Sequence, residues 1–151
     1  MGALAATCAS TRARHDPAMS TTKAAGPFDV TMSPDPHYES FEGGIVLGRL
    51  GITKVFHGDL DATSVVQMLS AGGSVKGSAG YVAIERVTGS LHGCAGAFIL
   101  QHSGSMNRGA ASLTVTVVPD TGTGDLAGLS GAMTIDIVDG KHFYAFEYAL
   151  G

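Results

Sequence analysis

The stretch that decides the fold is GYVAIERVTGSLHGCAGAFILQHSG, which runs from Gly80 to Gly104. Apolar residues alternate with small or polar ones over two runs, 79–91 and 95–104, and a His-Gly pair separates the runs. Alternation with a period of two is typical of strands, and a short glycine-containing break is typical of a turn between paired strands. The stretch therefore predicts two long antiparallel strands.

The same pattern continues on both sides of this stretch. Six further strands are predicted, at 28–33, 45–57, 63–70, 111–119, 129–138 and 142–150. The Asp139-Gly140 pair between the last two is a strong hairpin signal. The segment SVVQMLSA within the third of them also has the alternative of a short helix. Eight short strands joined by tight turns favour an antiparallel barrel or a sandwich over a parallel sheet.

Composition limits the kind of protein. The 151 residues fit one domain, and the formal charge of -4 with no basic stripe argues against a nucleic-acid surface. No apolar run approaches the roughly 20 residues that a membrane helix needs. Residues 1–26 are rich in Ala, Ser and Thr without a period, so we expect a disordered leader before a barrel domain at 27–151. Cys8 lies in that leader and Cys94 in a strand, which predicts unpaired cysteines and a cytoplasmic protein.

Polar residues interrupt otherwise apolar strand runs, namely Glu85, Gln101, His102 and Lys54. Glu85 and His102 lie on the two central strands, and Lys54 lies on an earlier one. A buried carboxylate or imidazole is costly unless it is satisfied or used. Alternation places each of them on one strand face with apolar neighbours, but periodicity alone leaves open which face points inward. The aromatic residues that share such faces are Tyr81, Phe98, Tyr144 and Phe146.

The sequence signals for a metal site and for a dinucleotide site are weaker. His57, Asp59 and Asp61 alternate as a divalent ion's ligands would, but no second cluster lies nearby. The segment Gly122–Ala127 matches a dinucleotide fingerprint by letter, although a strand rather than a helix is predicted to follow it. We therefore expect no metal and no cofactor.

Four segments carry a resemblance to a known family. They are TKVFHGDLDATS, GYVAIERVTGSLHGCAGAFILQHSG, VVPDTGTGDLAGLSG and HFYAFEYAL, and together they resemble the DUF3224 family, a bacterial family of unknown function. The resemblance spans about 28–151 and implies an all-β fold, an eight-stranded antiparallel calycin-like barrel similar to those of allene oxide cyclases and dirigent proteins. The chain departs from the family's usual residues at His57, Cys94 and Ala97.

The relatives of that barrel suggest a function that the family itself does not supply. We expect a cofactor-free isomerase or cyclase that shapes a small apolar molecule, with Glu85 and His102 as its acid and base. Burial is expected to raise the pKa of Glu85 toward neutrality. Lys54 would stabilise a developing anion, and the walls of the cavity would come from four aromatic residues, Tyr81, Phe98, Tyr144 and Phe146.

Three alternatives stay open at this point. The barrel would bind a hydrophobic molecule without catalysis, or it would be filled and act through its outer surface, for example in a homo-oligomer. In a purely structural interpretation Glu85 pairs with Lys54 on a neighbouring strand, and His102 caps backbone groups at a strand end.

Overall fold

The computed structural model describes Cys8, residues 20–35 and residues 39–151. No α-helix occurs in these residues, and none of their helical segments is long and apolar enough to cross a membrane. Two short 3-10 turns lie at Glu42–Gly44 and Gly124–Leu126. The remaining elements are nine strands: β1 (Thr22–Pro34), β2 (Glu39–Phe41), β3 (Ile45–Phe56), β4 (Leu60–Gly72), β5 (Ala79–Leu91), β6 (Cys94–Asn107), β7 (Ala110–Val117), β8 (Leu129–Val138) and β9 (Lys141–Leu150).

The strands form one closed barrel. Their order is β1-β9-β8-β7-β6-β5-β4-β3-β2, and every neighbouring pair is antiparallel. β1 closes the ring because residues 22–28 pair with β9 while residues 28–34 pair with β3. Eight strands therefore make the barrel, and β2 adds to the edge of β3. The predicted eight-stranded antiparallel barrel is confirmed, and the helical alternative for 64–71 is wrong because this segment lies in β4.

Three tight turns hold consecutive strands in register. Each consists of two residues with positive φ, the conformation in which the turn's twist matches the right-handed twist of the flanking strands. The φ angles are 45° and 79° for His92-Gly93, 48° and 91° for Arg108-Gly109, and 51° and 75° for Asp139-Gly140. The hairpin predicted from the Asp-Gly pair is thus confirmed, with Val138 opposite Lys141.

Burial shows which strand faces point inward. The faces that carry Lys54, Glu85, His102 and Tyr144 are buried, whereas the alternate residues of β3, β4 and β5 are mostly exposed. The interior contains two apolar clusters. The larger one includes four phenylalanines, Phe28, Phe56, Phe98 and Phe146, and the smaller one consists of Ile52, Val66 and Ala83.

The amino-terminal expectations need two corrections. Residues 22–26 belong to β1, because they add backbone hydrogen bonds to β9, so the barrel begins before residue 27. Cys8 and Cys94 form a disulfide, which the sequence analysis did not predict. Cys8 packs against the larger apolar cluster, so the fold brings the two sulfur atoms together although 86 positions separate them. The rest of the expected leader, residues 1–7 and 9–19, lies outside the described residues.

This disulfide predicts a redox-dependent stability. We expect Cys8→Ser to lower the free energy of unfolding by about 2–4 kcal/mol, because the cross-link restricts a long loop of the unfolded chain. Urea unfolding of the variant and the parent protein, each with and without a reductant, measures the effect. The reductant should lower the midpoint of the parent and leave that of Cys8→Ser unchanged. Equal midpoints for all four samples would contradict the expectation.

Candidate functional site

A fully buried carboxylate lies at the centre of the barrel's polar interior. Glu85 has no solvent exposure, and its two oxygen atoms contact three side chains from three other strands. Oε1 accepts a hydrogen bond from Lys54 Nζ at 3.0 Å and lies 2.8 Å from His102 Nε2. Oε2 accepts a hydrogen bond from Ser64 Oγ at 2.5 Å. The structural interpretation of Glu85 as the partner of Lys54 is confirmed, whereas His102 bonds Glu85 rather than capping backbone groups.

The polar cluster, defined here as Lys54, Ser64, Glu85 and His102, separates the two apolar clusters. On β3, β4 and β5 each polar residue has a member of the larger cluster two positions away on one side. On the other side it has a member of the smaller one. Residues two apart in a strand share a face, so the polar residues form a layer across the barrel. The ammonium group of Lys54 also lies 5.2 Å from the ring centre of Phe28, in the larger cluster.

The partners of Glu85 keep it ionised. Burial alone would raise the pKa of its carboxyl group, but three contacts oppose burial: the hydrogen bond with His102, the charge of Lys54 and the hydrogen bond from Ser64. Together they hold the pKa of Glu85 below its ordinary value. The expectation that burial raises this pKa toward neutrality is therefore wrong in sign, because it left out three stabilising partners.

An ionised Glu85 determines which nitrogen of His102 carries the proton. A carboxylate only accepts hydrogen bonds, so Nε2 must be the donor in this contact. In the neutral imidazole Nδ1 then holds a lone pair, and Nδ1 has no hydrogen-bond partner among the described residues. In that part of the chain no fully buried side-chain nitrogen or oxygen lacks a partner. Nδ1 is therefore within reach of solvent, although His102 as a whole is 4% exposed.

Tyr81, one inward-facing position nearer the mouth than the cross-strand partner of His102, supplies a second polar atom without a partner. Its ring packs over Gly104, where an added Cβ would lie 2.3 Å from the ring. Its hydroxyl has no hydrogen-bond partner among the described residues. Burial and the nearby carboxylate of Glu85 raise the pKa of Tyr81, so the hydroxyl keeps its proton and remains a donor. Tyr81, which was predicted to contact a ligand, thus lies near the polar cluster.

Beyond the smaller apolar cluster this end of the barrel is open. We define the mouth by four side chains that share the inward-facing parity of their strands but stay 41–65% exposed: Met32, Met106, Leu113 and Ile137. Apolar side chains that point into a barrel and still contact water show that this half is not filled. The buried residues of the smaller apolar cluster lie on the mouth side of Lys54, Ser64 and Glu85, so the polar cluster and the smaller apolar cluster together form the floor of the mouth.

Three predicted wall residues lie below that floor. Phe98, Tyr144 and Phe146 are each at most 2% exposed and belong to the larger apolar cluster. The rings of Phe98 and Phe146 stack with their centres 5.8 Å apart. The hydroxyl of Tyr144 donates to the backbone oxygen of His57 at 2.6 Å and accepts from the backbone nitrogen of Leu60 at 2.8 Å. These residues fill the closed half and do not line the mouth.

Among the described residues, His57, Asp59 and Asp61, which were weighed as metal ligands, do not form a metal-binding group, and two polar interior residues were missed. His57 contacts Asp29 at 2.9 Å, whereas Asp59 accepts a hydrogen bond from the backbone nitrogen of Ala25. Ser64 was missed, although it lies directly opposite Lys54 on the same alternating face, which was the available signal. His142 was missed as an interior residue. It is half-buried on β9, and its ring centre lies 5.2 Å from that of Phe28.

Two large depressions lie mainly on the outer side of the barrel wall. Their volumes are about 1120 and 1070 Å³, and outward-facing residues of β3, β4, β5 and β6 form most of their lining, with Tyr81 in the first and His102 in the second. The second depression includes an outer apolar face, defined here by four side chains that are 50–60% exposed: Val65, Leu69, Val82 and Ile84. Leu69 is the direct cross-strand partner of Val82, so apolar residues of β4 and β5 meet on this face, while Ile84 is paired with Gln67 and Val65 with Arg86.

The fold and the interior together define the class of protein: it is a closed antiparallel barrel with a buried carboxylate beneath an open mouth. Residues 24–148 match the family described as "Protein of unknown function (DUF3224)", and the chain belongs to that family. It is similar to the crystal structure of a DUF3224 protein of unknown function from Shewanella oneidensis MR-1. The two share 48% identity over 87% of this chain and 99% of that one, with a TM-score of 0.83. No curated protein matches the sequence.

The polar cluster predicts how stability depends on pH. Because the pKa of Glu85 is lowered on folding, its carboxylate stabilises the fold fully above its ordinary pKa of 4.5. That contribution is lost as the pH falls through the lowered value. We expect Glu85→Gln to cost about 3–5 kcal/mol near pH 7, because it leaves Lys54 buried without a counter-charge. Urea unfolding at a series of pH values should show the two stability curves converging in acid.

A second substitution controls for general damage to the core. Adding Lys54→Met to Glu85→Gln removes the uncompensated charge, so it should restore part of the lost stability. If the stability curves of Glu85→Gln and the parent stay parallel down to acid pH, the pKa of Glu85 is not lowered by folding.

Proposed function

We propose that the protein binds a small apolar molecule in the mouth and catalyses a cofactor-free isomerisation or cyclisation through proton transfer at His102. One observation carries this proposal: Nδ1 of His102 has a free lone pair at the floor of an apolar opening, while Nε2 is held by a carboxylate. An imidazole that is oriented by a buried carboxylate is a common general base.

The roles of the cluster differ from those expected from sequence. His102 takes the proton at Nδ1, and Glu85 orients the ring and stabilises the imidazolium that forms. Glu85 stays ionised, so it acts through His102 rather than as an acid. The hydroxyl of Tyr81 donates a hydrogen bond to the oxygen on which negative charge develops in the substrate. Lys54 neutralises Glu85 and so permits its burial.

Binding without catalysis is the alternative that uses the same mouth. The unsatisfied atoms of Tyr81 and His102 would then only hydrogen-bond a polar group of the ligand. The two functions differ in what His102 does, because only catalysis requires it to change its protonation state.

A compact probe for a buried base tests the catalytic proposal. The probe 5-nitrobenzisoxazole loses its ring proton to a base as its nitrogen–oxygen bond breaks, and the product is a coloured nitrile phenolate. We expect turnover by the parent protein and a loss of about 100-fold or more in kcat/KM for His102→Ala, the usual range for removal of a general base. Absorbance of the phenolate measures the rate.

Matched variants separate the base from other effects. His142→Ala removes another interior histidine, one that has no carboxylate partner among the described residues, and should leave the rate unchanged. Tyr81→Phe should lower the rate by weakening stabilisation of the phenolate. Equal rates for His102→Ala and the parent would remove His102 as the base and favour binding alone.

Self-association through the outer apolar face is a second candidate function. The exposed strip of Val65, Leu69, Val82 and Ile84 is unusual for the solvent side of a barrel and suits a second copy of the chain. Such an assembly would leave the mouth free, so it is compatible with the proposed chemistry.

A charge placed in this strip tests self-association. We expect Val82→Glu to reduce the sedimentation mass from an oligomer to a single chain, because burying an unpaired carboxylate in an apolar interface is unfavourable. Thr63→Glu, which adds the same charge at an exposed position of β4 outside the strip, should leave the mass unchanged. A parent protein that sediments as one chain at all concentrations would refute this candidate.

The cellular location is also a proposal. The sequence predicted a cytoplasmic protein from cysteines taken to be unpaired. The Cys8–Cys94 disulfide favours an oxidising compartment instead, since the cytoplasm keeps thiols reduced in most organisms.

A further inference from the structure

The barrel wall is incomplete between β7 and β8. These neighbours share only two residue pairs, Val115 with Met133 and Thr116 with Ala132. Continuing the register toward the mouth would pair residues 110–114 with residues 134–138, and none of these five pairs forms in this fully described part of the chain. Both segments remain strands because each pairs on its other side, with β6 and with β9. The two strands therefore diverge, and a wedge opens in the wall.

The wedge begins at the level of the proposed base. His102 pairs with Val115, and Val115 pairs with Met133, so these residues form one row across three strands. That row contains the last paired position before the strands separate. The apex of the wedge thus lies one strand away from His102, and its wide end lies at the mouth.

The walls of the wedge are apolar and exposed to water. Leu113 on β7 is 41% exposed and Ile137 on β8 is 65% exposed, although both share the inward-facing parity of Val115 and Met133. In a closed wall these side chains would be covered by the opposite strands. Their exposure favours an occupant that covers apolar surface at this position.

We propose that the wedge between β7 and β8 is the entrance to the site and holds the body of an elongated, neutral, apolar small molecule. This inference rests on the proposed function and names the class of its ligand. Five strand residues on each side give the wedge a length of about 16 Å, at about 3.3 Å per residue. The molecule is neutral because the buried charges near the apex, those of Lys54 and Glu85, already neutralise each other.

Nile red, a neutral, elongated and apolar dye, is a suitable probe. We expect Ala111→Trp to weaken its binding about tenfold or more, because an indole on the inner side of β7 would occupy the wedge. Ser112→Trp is the matched control. It places the same side chain one residue further along β7 on the outer face, and it should leave the affinity unchanged. Both positions are exposed, so both variants should keep the urea midpoint of the parent.

Hydrogen exchange provides a second measurement that does not depend on a substitution. Bound Nile red should slow amide exchange in 110–114 and 134–138 and leave the outer apolar face unaffected. Protection of β4 and β5 instead would place the dye on the outer face and overturn the inference. So would equal affinity of the Ala111→Trp variant and the parent, or the absence of binding.

The outcomes separate this inference from the proposed function. If turnover of 5-nitrobenzisoxazole depends on His102 while Nile red is insensitive to Ala111→Trp, the chemistry stands and the wedge is not the binding site. If Ala111→Trp blocks the dye while His102→Ala leaves turnover unchanged, the wedge stands as a binding site without catalysis.

Discussion

The burial of one ionised carboxylate constrains the rest of this barrel. Moving Glu85 from water into the interior is unfavourable by several kcal/mol, and the cost is offset only if its oxygens find charged or hydrogen-bonding partners. β3, β4 and β6 each supply one, as Lys54, Ser64 and His102. Together with β5, which carries Glu85, four strands contribute to this cluster. A change of register in any of them would leave a buried charge unpaired. The polar cluster thus favours one pairing of half of the barrel's strands.

The same cluster explains why the two halves of the barrel differ. A small barrel is wide enough for side chains to fill its interior, and below the cluster aromatic residues such as Phe56, Phe98 and Phe146 do so. Above the cluster the inward-facing residues are smaller or more flexible, and the wall opens between β7 and β8. Glu85 itself has no solvent exposure, and the exposed inward-facing apolar residues lie on the upper side of the polar layer. This asymmetry leaves Nδ1 of His102 accessible while its other nitrogen is buried with Glu85.

Much of the fold was predictable because alternation and turn chemistry are local signals. The hairpin at Asp139-Gly140 and the long strands β5 and β6 follow directly from them. Which face points inward was not predictable, since both faces of these strands are apolar. The pairing of Glu85 with Lys54 was recognised as one possibility, but the sign of the pKa shift depended on Ser64 and His102 arriving at the same carboxylate. That convergence arises from the register of several strands, and single-strand patterns do not contain it.

Two features were not predicted because they depend on contacts between distant parts of the chain. The Cys8–Cys94 disulfide was missed because composition suggested a leader without contacts, whereas Cys8 packs against the larger apolar cluster. The wedge was missed because β7 and β8 both carry ordinary strand patterns, and only their pairing shows that they diverge. The divergence coincides with the row that contains His102, so the break in the wall and the polar floor meet at one place. A barrel that needed only stability would gain from continuing this pairing, since each unmade row leaves backbone groups and apolar side chains in water. That arrangement is better explained by access to the interior than by the requirements of folding.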